Sequence, residues 1–499
     1  MDYDFDLIVI GSGAGGGTLA SACATRGKRV LVIERGRRTQ IDEQVHDEQR
    51  TLFDKQPYDD RPIELNGESR RLLMGGVLGG GTSLYGGAMI RPSVDDFHPG
   101  KSYGERIDRA LWDWPLGYDD LAEYYDQAER LYHVAARGGD DFAPLAPPTA
   151  SNEDEILPLA DINRRLIDAN RRQGLHPFQL PLSIDASLCL RCDNCAGFPC
   201  PTGARRSAAQ LVDEAQAATS QLTLLTNCEV ERFESGTSEV LGGVHVRERA
   251  TGELSLYRAR RYVLSAGAIG SPAILLRSGF VHPLIGRHYM MHYSPLCVGF
   301  YLASTGADET FVKQVGFADY YFGTDDCPHK MGLVQSLPAP GPLMMAKSGG
   351  RLLPRWLLAS LRKRMLPLVG IVEDLPNPAN RVTLGEGGRI CLSHQFSEYD
   401  RDRGRALGRQ MKRILRRGGA VYCAGNALPS QEHVAHQCGT LRFGRRADEA
   451  VVDADCRMFG QKDLFVVDGS ILPTSLGVGP SLTISAMALR VADILTQEI

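Results

Sequence analysis

The apolar residues near the start of the chain fall into two short continuous runs. Residues 5–10 (FDLIVI) form the first run, and residues 28–35 (KRVLVIER) contain the second. An alanine-rich helical stretch from about Gly15 to Arg26 separates them. Two apolar strands joined by a helix of this length are typical of a βαβ unit. The pattern therefore predicts the start of a parallel sheet in an α/β fold.

Hydrophobic patterning later in the chain predicts further strands and one amphipathic helix. Residues 222–249 and 256–265 alternate apolar and polar positions in short pieces, which indicates strands and turns. Residues 352–368 are rich in Trp and Leu and carry four basic side chains, which predicts an amphipathic helix. We interpret this helix as the cover of a substrate cavity, with contact to a membrane surface as the alternative.

Length and charge exclude several classes of protein. The 499 residues allow two or three domains, and 43% hydrophobic and 23% charged residues are typical of a globular chain. The 56 basic and 60 acidic residues leave a net charge of −4, which provides no basic surface for nucleic acid. The acidic start leads directly into a strand, without the features of a secretory signal, and no apolar run approaches about 18 residues. We therefore expect a cytoplasmic protein with no transmembrane segment.

The first candidate for chemistry is the glycine motif Gly11-x-Gly13-x-x-Gly16, which follows the first apolar run and opens the helix. In a βαβ unit such glycines allow a tight turn and the close approach of a pyrophosphate to the helix N-terminus. Glu34, at the end of the second run, is positioned to accept the ribose hydroxyls. These features predict dinucleotide binding, and the alternative is that the glycines serve only strand–helix packing.

A second glycine cluster spans residues 75–87 and is too dense for an ordinary turn. Backbone N–H groups in such a loop can wrap phosphates or lie against a flat ring. A flexible linker is the alternative, but a linker does not call for the Val, Leu and Tyr residues interspersed here. The cluster therefore predicts a second cofactor contact.

Four of the 12 cysteines lie within a 12-residue segment, as Cys189-x-x-Cys192-x-x-Cys195-x4-Cys200. This spacing is close to that of a ferredoxin, with one extra residue before the last cysteine. Three interpretations remain open for the segment: a metal or iron–sulfur site, one or two disulfides, and reduced structural thiols.

Several segments together resemble the glucose-methanol-choline (GMC) family of flavin oxidoreductases. Residues 75–97 (GGVLGGGTSLYGGAMIRPSVDDF) and 260–279 (RRYVLSAGAIGSPAILLRSG) look like the two family signatures, and residues 436–495 are similar to the family's closing segment. The resemblance implies a discontinuous Rossmann-like FAD-binding domain and a substrate domain with an antiparallel sheet. We assign the FAD-binding domain to residues 1–100, 201–290 and 440–499, and the substrate domain to residues 101–200 and 291–439.

The resemblance also implies the residues that bind FAD. These are Gly11, Gly13 and Gly16 at the pyrophosphate, Glu34 at the adenosine ribose, Val230 at the adenine, Gly76, Gly80 and Thr82 along the flavin, and Asp468 near the ribityl chain and pyrophosphate. Some family members attach FAD covalently through a histidine in the first signature. Tyr85 occupies that stretch here, without a histidine or cysteine, so we expect a non-covalent flavin.

The chemistry implied by the resemblance is oxidation of an alcohol CH–OH to a carbonyl, with hydride transfer to flavin N5. His436, in the segment His436-Gln437-Cys438-Gly439-Thr440, matches the family's general base. The family usually places an Asn or His shortly before the last helix, where this chain has Gly479, which offers no side chain to the substrate. Either water, the substrate itself or another side chain such as His433 takes that role, or the activity is reduced or redirected.

The expected partner is a small-molecule alcohol, with a sugar-like, amino sugar or polyol substrate. Glu373 and Asp374 are either cleft acids that favour a cationic substrate or ordinary exposed carboxylates. The electron acceptor stays open among oxygen, a quinone and a redox protein. An alternative function is the flavin subunit of an electron-transferring dehydrogenase, with an iron–sulfur cluster and a cytochrome acceptor. A third interpretation, suggested by Gly479, is a non-catalytic FAD-binding protein.

Overall fold

The computed structural model describes residues 3–149, 155–236, 239–347, 353–426 and 434–499. Its strands are β1 (Phe5–Ile10), β2 (Val30–Ile33), β3 (Ile63–Leu65), β4 (Glu68–Arg70), β5 (Phe178–Gln179), β6 (Leu222–Leu225), β7 (Cys228–Glu234), β8 (Gly243–Glu248), β9 (Leu254–Tyr257), β10 (Ala259–Leu264), β11 (Leu296–Phe300), β12 (Val315–Phe317), β13 (Leu333–Ser336), β14 (Met365–Ile371), β15 (Arg381–Leu384), β16 (Ile390–Ser393), β17 (Tyr422–Asn426) and β18 (Leu464–Val466). Its α-helices are α1 (Gly16–Thr25), α2 (Pro99–Tyr103), α3 (Ala122–Leu131), α4 (Asp161–Arg171), α5 (Ala208–Ala218), α6 (Gly267–Arg277), α7 (Pro342–Met345), α8 (Arg355–Arg362), α9 (Glu398–Arg417) and α10 (Ser481–Glu498).

A five-stranded parallel sheet with the order β18-β10-β1-β2-β6 forms the centre of the fold. The predicted βαβ unit is confirmed, because β1 and β2 pair in parallel with Leu7 opposite Val30, and α1 connects them. Helix α1 packs against both α5 and α10. Its small residues allow this close packing, since a Cβ on Gly17 would lie 2.9 Å from the Cβ of Ala208, the first residue of α5.

A six-stranded sheet with the order β17-β11-β14-β13-β12-β5 forms the second layer, and all of its pairings are antiparallel. All seven residues of β14 are buried. Helix α9 covers this sheet with an apolar stripe at helical spacing that includes Leu407, Met411 and Ile414. The α/β fold predicted from the sequence, with a parallel and an antiparallel sheet, is therefore confirmed.

The two main sheets take their strands from different parts of the chain. Every strand of the parallel sheet lies in the ranges assigned to FAD binding, and every strand of the six-stranded sheet lies in the ranges assigned to the substrate. A four-stranded sheet, β15-β16-β3-β4, combines strands from both sets of ranges and joins the two layers. The domain boundaries themselves stay a prediction.

The single helix expected over residues 352–368 is wrong in its second half. Helix α8 ends at Arg362, and β14 begins at Met365. The apolar residues after Met365 are buried between two neighbouring strands, so the sheet determines their conformation. Trp356 on α8 is 73% exposed. Within the described ranges, no helix has the length and apolar character needed to cross a bilayer.

Candidate active site

A cavity of about 510 Å³ lies between the two main sheets. Ile10 and Ile33, the last residues of β1 and β2, line it from the parallel sheet. Val369 and Ile371 of β14 line it from the antiparallel sheet. Ligands of open α/β sheets bind at the carboxyl ends of the strands, and the cavity is in that position.

The first glycine motif forms one wall of this cavity. Gly11 has φ +96°, and a Cβ there would lie 2.4 Å from the carbonyl oxygen of Ser265. A Cβ on Gly16 would lie 2.0 Å from the carbonyl oxygen of Gly11, so Gly16 allows strand–helix packing and does not line the cavity. Gly13 does line it, and a Cβ on Gly13 would meet no atom within 4 Å. The space beside Gly13 is therefore open to the cavity.

Glu34 lines the cavity and also holds the first glycine loop in place. One of its carboxylate oxygens accepts hydrogen bonds from the backbone N–H and the hydroxyl of Ser12, at 3.1 and 2.6 Å. The other oxygen accepts a hydrogen bond from the backbone N–H of Gly36 at 2.6 Å. Val230 on β7 lines the same cavity. Sequence analysis did not single out Ser12, because only the folded loop brings it to the carboxylate.

The second glycine cluster is a folded part of the cavity wall, so the linker interpretation is wrong. Gly76, Gly80 and Thr82 all line the cavity. Gly80 has φ +53°, and a Cβ there would lie 3.2 Å from the Cα of Gly13, so the two glycine loops meet. The hydroxyl of Thr82 accepts a hydrogen bond from the backbone N–H of Ala208 at 2.9 Å, which ties the loop to the start of α5.

Asp468 follows β18 and contacts the start of α6 from the cavity wall. One carboxylate oxygen accepts hydrogen bonds from the backbone N–H of Gly267 at 2.9 Å and the hydroxyl of Ser271 at 2.6 Å. The other accepts a hydrogen bond from the backbone N–H of Ser470 at 2.8 Å. Burial raises the pKa of Asp468. This carboxyl group fixes the N-terminus of α6, whose first residues also line the cavity.

His436 and Gly479 face each other in the cavity. A Cβ on Gly479 would lie 3.5 Å from Nε2 of His436. Nδ1 of His436 lies 2.7 Å from Nδ1 of His292, a residue that sequence analysis did not single out. His433, the alternative partner named from the sequence, lies outside the described residues.

Ser294, Lys313 and Gln335 are among the further polar residues that line the cavity, and no local motif marks them. Lys313 is 3% exposed, and its Nζ donates a hydrogen bond to the carbonyl oxygen of Gly86 at 3.0 Å. Burial lowers the pKa of Lys313 to about 8. Each of these residues lies next to or within a strand of the six-stranded sheet, and only the packing of that sheet over the parallel sheet brings them to the cavity.

Both interpretations of Glu373 and Asp374, as cleft acids and as exposed carboxylates, are wrong. Each side chain is 1% exposed, and neither lines the cavity. Glu373 accepts a hydrogen bond from Nζ of Lys330 at 2.7 Å and another from the hydroxyl of Tyr103. Asp374 pairs with Nε2 of His394 at 2.7 Å. A buried carboxylate requires such partners, so both acids belong to the protein interior.

The cysteine-rich segment holds free thiols. None of the 12 cysteines, all of which are described, forms a disulfide, so the disulfide interpretation is wrong. In the described parts of the chain, no group of three or more His, Cys, Asp or Glu residues is arranged to hold a metal ion. Burial raises the pKa of Cys195 to about 12. As arranged, Cys189, Cys192, Cys195 and Cys200 do not fit an iron–sulfur cluster, and the structure supports the interpretation as reduced thiols.

Comparison with known proteins agrees with this geometry. Models for the N- and C-terminal parts of the GMC oxidoreductases match residues 5–294 and 376–488. The chain belongs to the GMC oxidoreductase family. It is an FAD-dependent enzyme that acts on CH–OH donors, as the resemblance implied.

Individual relatives of this GMC oxidoreductase align over nearly the whole chain. It is 30% identical to paromamine 6'-oxidase from Streptomyces fradiae, over 98% of this chain and 91% of the relative. It is 29% identical to 6'''-hydroxyparomomycin C oxidase from Streptomyces lividus, with the same coverage. The solved structure of pyridoxine 4-oxidase superposes with a TM-score of 0.70 at 20% identity, covering 98% of this chain and 99% of that one.

Proposed function

We propose that this GMC oxidoreductase oxidises an alcohol CH–OH of an amino sugar to a carbonyl, with His436 as the general base. Two relatives named for paromamine and 6'''-hydroxyparomomycin C support the substrate class. The observation that carries the catalytic part is the position of His436, whose Nε2 faces Gly479 within the cavity that both glycine loops line. Polyols and neutral sugars are the other substrates in the same class of reaction.

The chain's own residues explain how the reaction starts. Loss of a hydride from carbon is far easier once the hydroxyl proton has left, so the alcohol needs a base within hydrogen-bond reach. Nε2 of His436 accepts that proton. The missing side chain at Gly479 leaves room beside the imidazole for the bulk of a sugar ring. Bound FAD supplies the acceptor for the hydride at its N5 position.

The residues that would hold FAD are those that leave space or present polar groups along the cavity. Gly13 and Gly80 provide the wall for the pyrophosphate, and Glu34 and Asp468 provide carboxyl groups at fixed positions. The hydroxyl of Tyr85 donates a hydrogen bond to the carbonyl oxygen of Arg206 at 2.8 Å. We therefore infer that Tyr85 serves as packing beside a non-covalent flavin.

Anaerobic reduction of the enzyme-bound flavin tests the proposed function. The rate of bleaching is measured with paromamine, a neutral disaccharide, a polyol and an aliphatic diol. We expect the highest ratio of rate to apparent Kd with paromamine. A higher ratio with the neutral compounds would contradict the amino sugar assignment, and no bleaching by any alcohol would support a non-catalytic protein. Oxygen consumption together with metal analysis separates an oxidase from the iron–sulfur electron-transfer subunit, which the free thiols do not support.

A further inference from the structure

His292 lies directly behind the proposed base and makes two hydrogen bonds through its ring nitrogens. Its Nε2 lies 2.7 Å from the carbonyl oxygen of Leu476, and its Nδ1 lies 2.7 Å from Nδ1 of His436. A carbonyl oxygen only accepts hydrogen bonds, so Nε2 of His292 must carry a proton. The geometry alone therefore gives the protonation state of Nε2.

The protonation state of the second nitrogen of His292, Nδ1, follows from the charge of the ring. His292 is 4% exposed, and burial lowers its pKa to about 4. The charge of Lys330 acts in the same direction, whereas Glu373 and the backbone carbonyl groups of Ser475 and Leu476 oppose it. At neutral pH the ring therefore has a single proton, which is the one on Nε2. Nδ1 of His292 is consequently a hydrogen-bond acceptor.

This acceptor determines the tautomer of His436. Two nitrogens 2.7 Å apart form a hydrogen bond only if one of them carries a proton. Because Nδ1 of His292 accepts, Nδ1 of His436 must donate. A neutral His436 then carries its proton on Nδ1 and its lone pair on Nε2, the atom that faces Gly479 and the cavity.

The carbonyl group that orients His292 is itself held in place. Leu476 has φ +64°, a left-handed conformation that is rare for a branched residue. Its backbone N–H donates a hydrogen bond to Glu373 at 2.9 Å, and Glu373 is paired with Lys330 in the interior. A buried ion pair therefore fixes the loop whose carbonyl group sets the orientation of His292.

We propose that His292 is a positioning residue that holds His436 in the tautomer with Nε2 unprotonated. The proposal rests on the proposed function only in giving His436 the role of base. When Nε2 of His436 accepts the proton from the alcohol, its Nδ1–H stays donated to His292, which remains neutral. The accepted proton therefore stays on His436 Nε2, next to the substrate.

Two substitutions at His292 separate positioning from packing. His292→Leu removes the acceptor and keeps an apolar side chain in the buried site. His292→Asn is the matched variant, because its side-chain oxygen can take the place of Nδ1 as an acceptor. FAD content and the visible flavin spectrum of both purified holoenzymes show whether the variants fold.

The direct readout is the protonation of the His436 ring nitrogens, measured by ¹⁵N NMR on histidine-labelled holoenzyme and assigned by the loss of signals in His436→Gln. We expect protonated Nδ1 in the wild type and in His292→Asn, and a mixture of tautomers in His292→Leu. A wild-type His436 protonated on Nε2, or an unchanged tautomer in His292→Leu, would overturn the proposal. This measurement is independent of turnover.

The kinetic readout is the limiting rate of anaerobic flavin reduction together with the apparent Kd of the substrate. Loss of the hydrogen-bond partner that orients a metal-ligating histidine typically costs about 10- to 100-fold, and we apply the same range to the partner of a histidine base. We expect a loss of that size in His292→Leu with little change in Kd, and recovery of most of the rate in His292→Asn. Equal rates in His292→Leu and wild type would contradict positioning. Unchanged reduction in His436→Ala would instead refute the proposed base and leave the NMR result valid.

Discussion

A Cβ atom on Gly479 would lie 3.5 Å from Nε2 of His436, at ordinary van der Waals distance. A longer side chain at this position would therefore fill the space beside the base. Such a side chain would exclude the substrate from this space, and a loss of about 1.4 kcal/mol in binding corresponds to a tenfold weaker affinity. We expect Gly479→Asn to raise the apparent KM for paromamine by about 10-fold or more and to leave small diols nearly unaffected. Steady-state kinetics on both substrates measure this difference.

Gly479→Ala is the matched control, since its methyl group stays at contact distance, and its kinetic constants should lie between those of the wild type and Gly479→Asn. If Gly479→Asn matches or exceeds the wild type on paromamine, water and not the substrate occupies the space beside His436.

Gly13→Val should abolish FAD retention. A Cβ on Gly13 meets no protein atom within 4 Å and Gly13 lines the cavity, so the valine side chain would project into the space that we assign to the pyrophosphate. The ratio of flavin to protein absorbance after gel filtration measures the loss. Gly408→Val is the control, because Gly408 also has open space around it but lies on α9 outside the cavity lining. Full flavin occupancy in Gly13→Val would disprove the assignment.

The flavin should leave the protein intact on denaturation. Burial raises the pKa of the Tyr85 hydroxyl, so this group stays a neutral phenol, and it donates a hydrogen bond to the carbonyl oxygen of Arg206. After acid precipitation, FAD is expected in the supernatant and the pellet is expected to be colourless. Flavin that stays with the precipitated chain would show a covalent link.

His436→Ala should lower the rate of anaerobic flavin reduction by roughly 10²–10⁴, the usual contribution of general acid–base catalysis. The flavin spectrum should change little, because His436 lies beside the proposed substrate space. The wild-type rate should rise with pH, since only the deprotonated imidazole can accept the hydroxyl proton. His176→Ala, at a largely exposed histidine paired with Asp319, is the control. Unchanged reduction in His436→Ala would make another residue the base.

Lys330→Met should destabilise the enzyme strongly. Nζ of Lys330 is paired with both Asp96 and Glu373, and all three side chains are at most 1% exposed. Removing one partner of a buried ion pair costs about 3–5 kcal/mol, because the remaining charges lose their compensation. Urea unfolding followed by tryptophan fluorescence measures the change. Lys462→Met, at an exposed pair with Glu239, should change the free energy of unfolding by less than about 1 kcal/mol. Equal effects of the two substitutions would refute the prediction.

The sequence by itself determined those features that depend only on residues close together in the chain. Residues 5–35 contain two apolar runs and the glycine spacing of a βαβ unit, and the structure has that unit. Gly13 and Glu34 could be selected from the βαβ pattern of this segment, whereas His436 was selected because its segment resembles a family motif. The apolar run after Met365 was ambiguous for the same reason, since a buried strand and a helix face look alike over a few residues.

Only the tertiary structure decided which distant residues share the site. His292 and His436 are 144 residues apart, and the antiparallel backbone bridge between Met290 and Cys438 brings their segments together. Lys313 reaches the cavity only because the six-stranded sheet lies over the parallel sheet. The burial of Glu373 and Asp374 could not be read from their charges, because acidic residues are usually exposed unless the fold supplies partners. The burial of an acidic side chain and the tautomer of a histidine both depend on neighbours from other parts of the chain, so no local pattern predicts them.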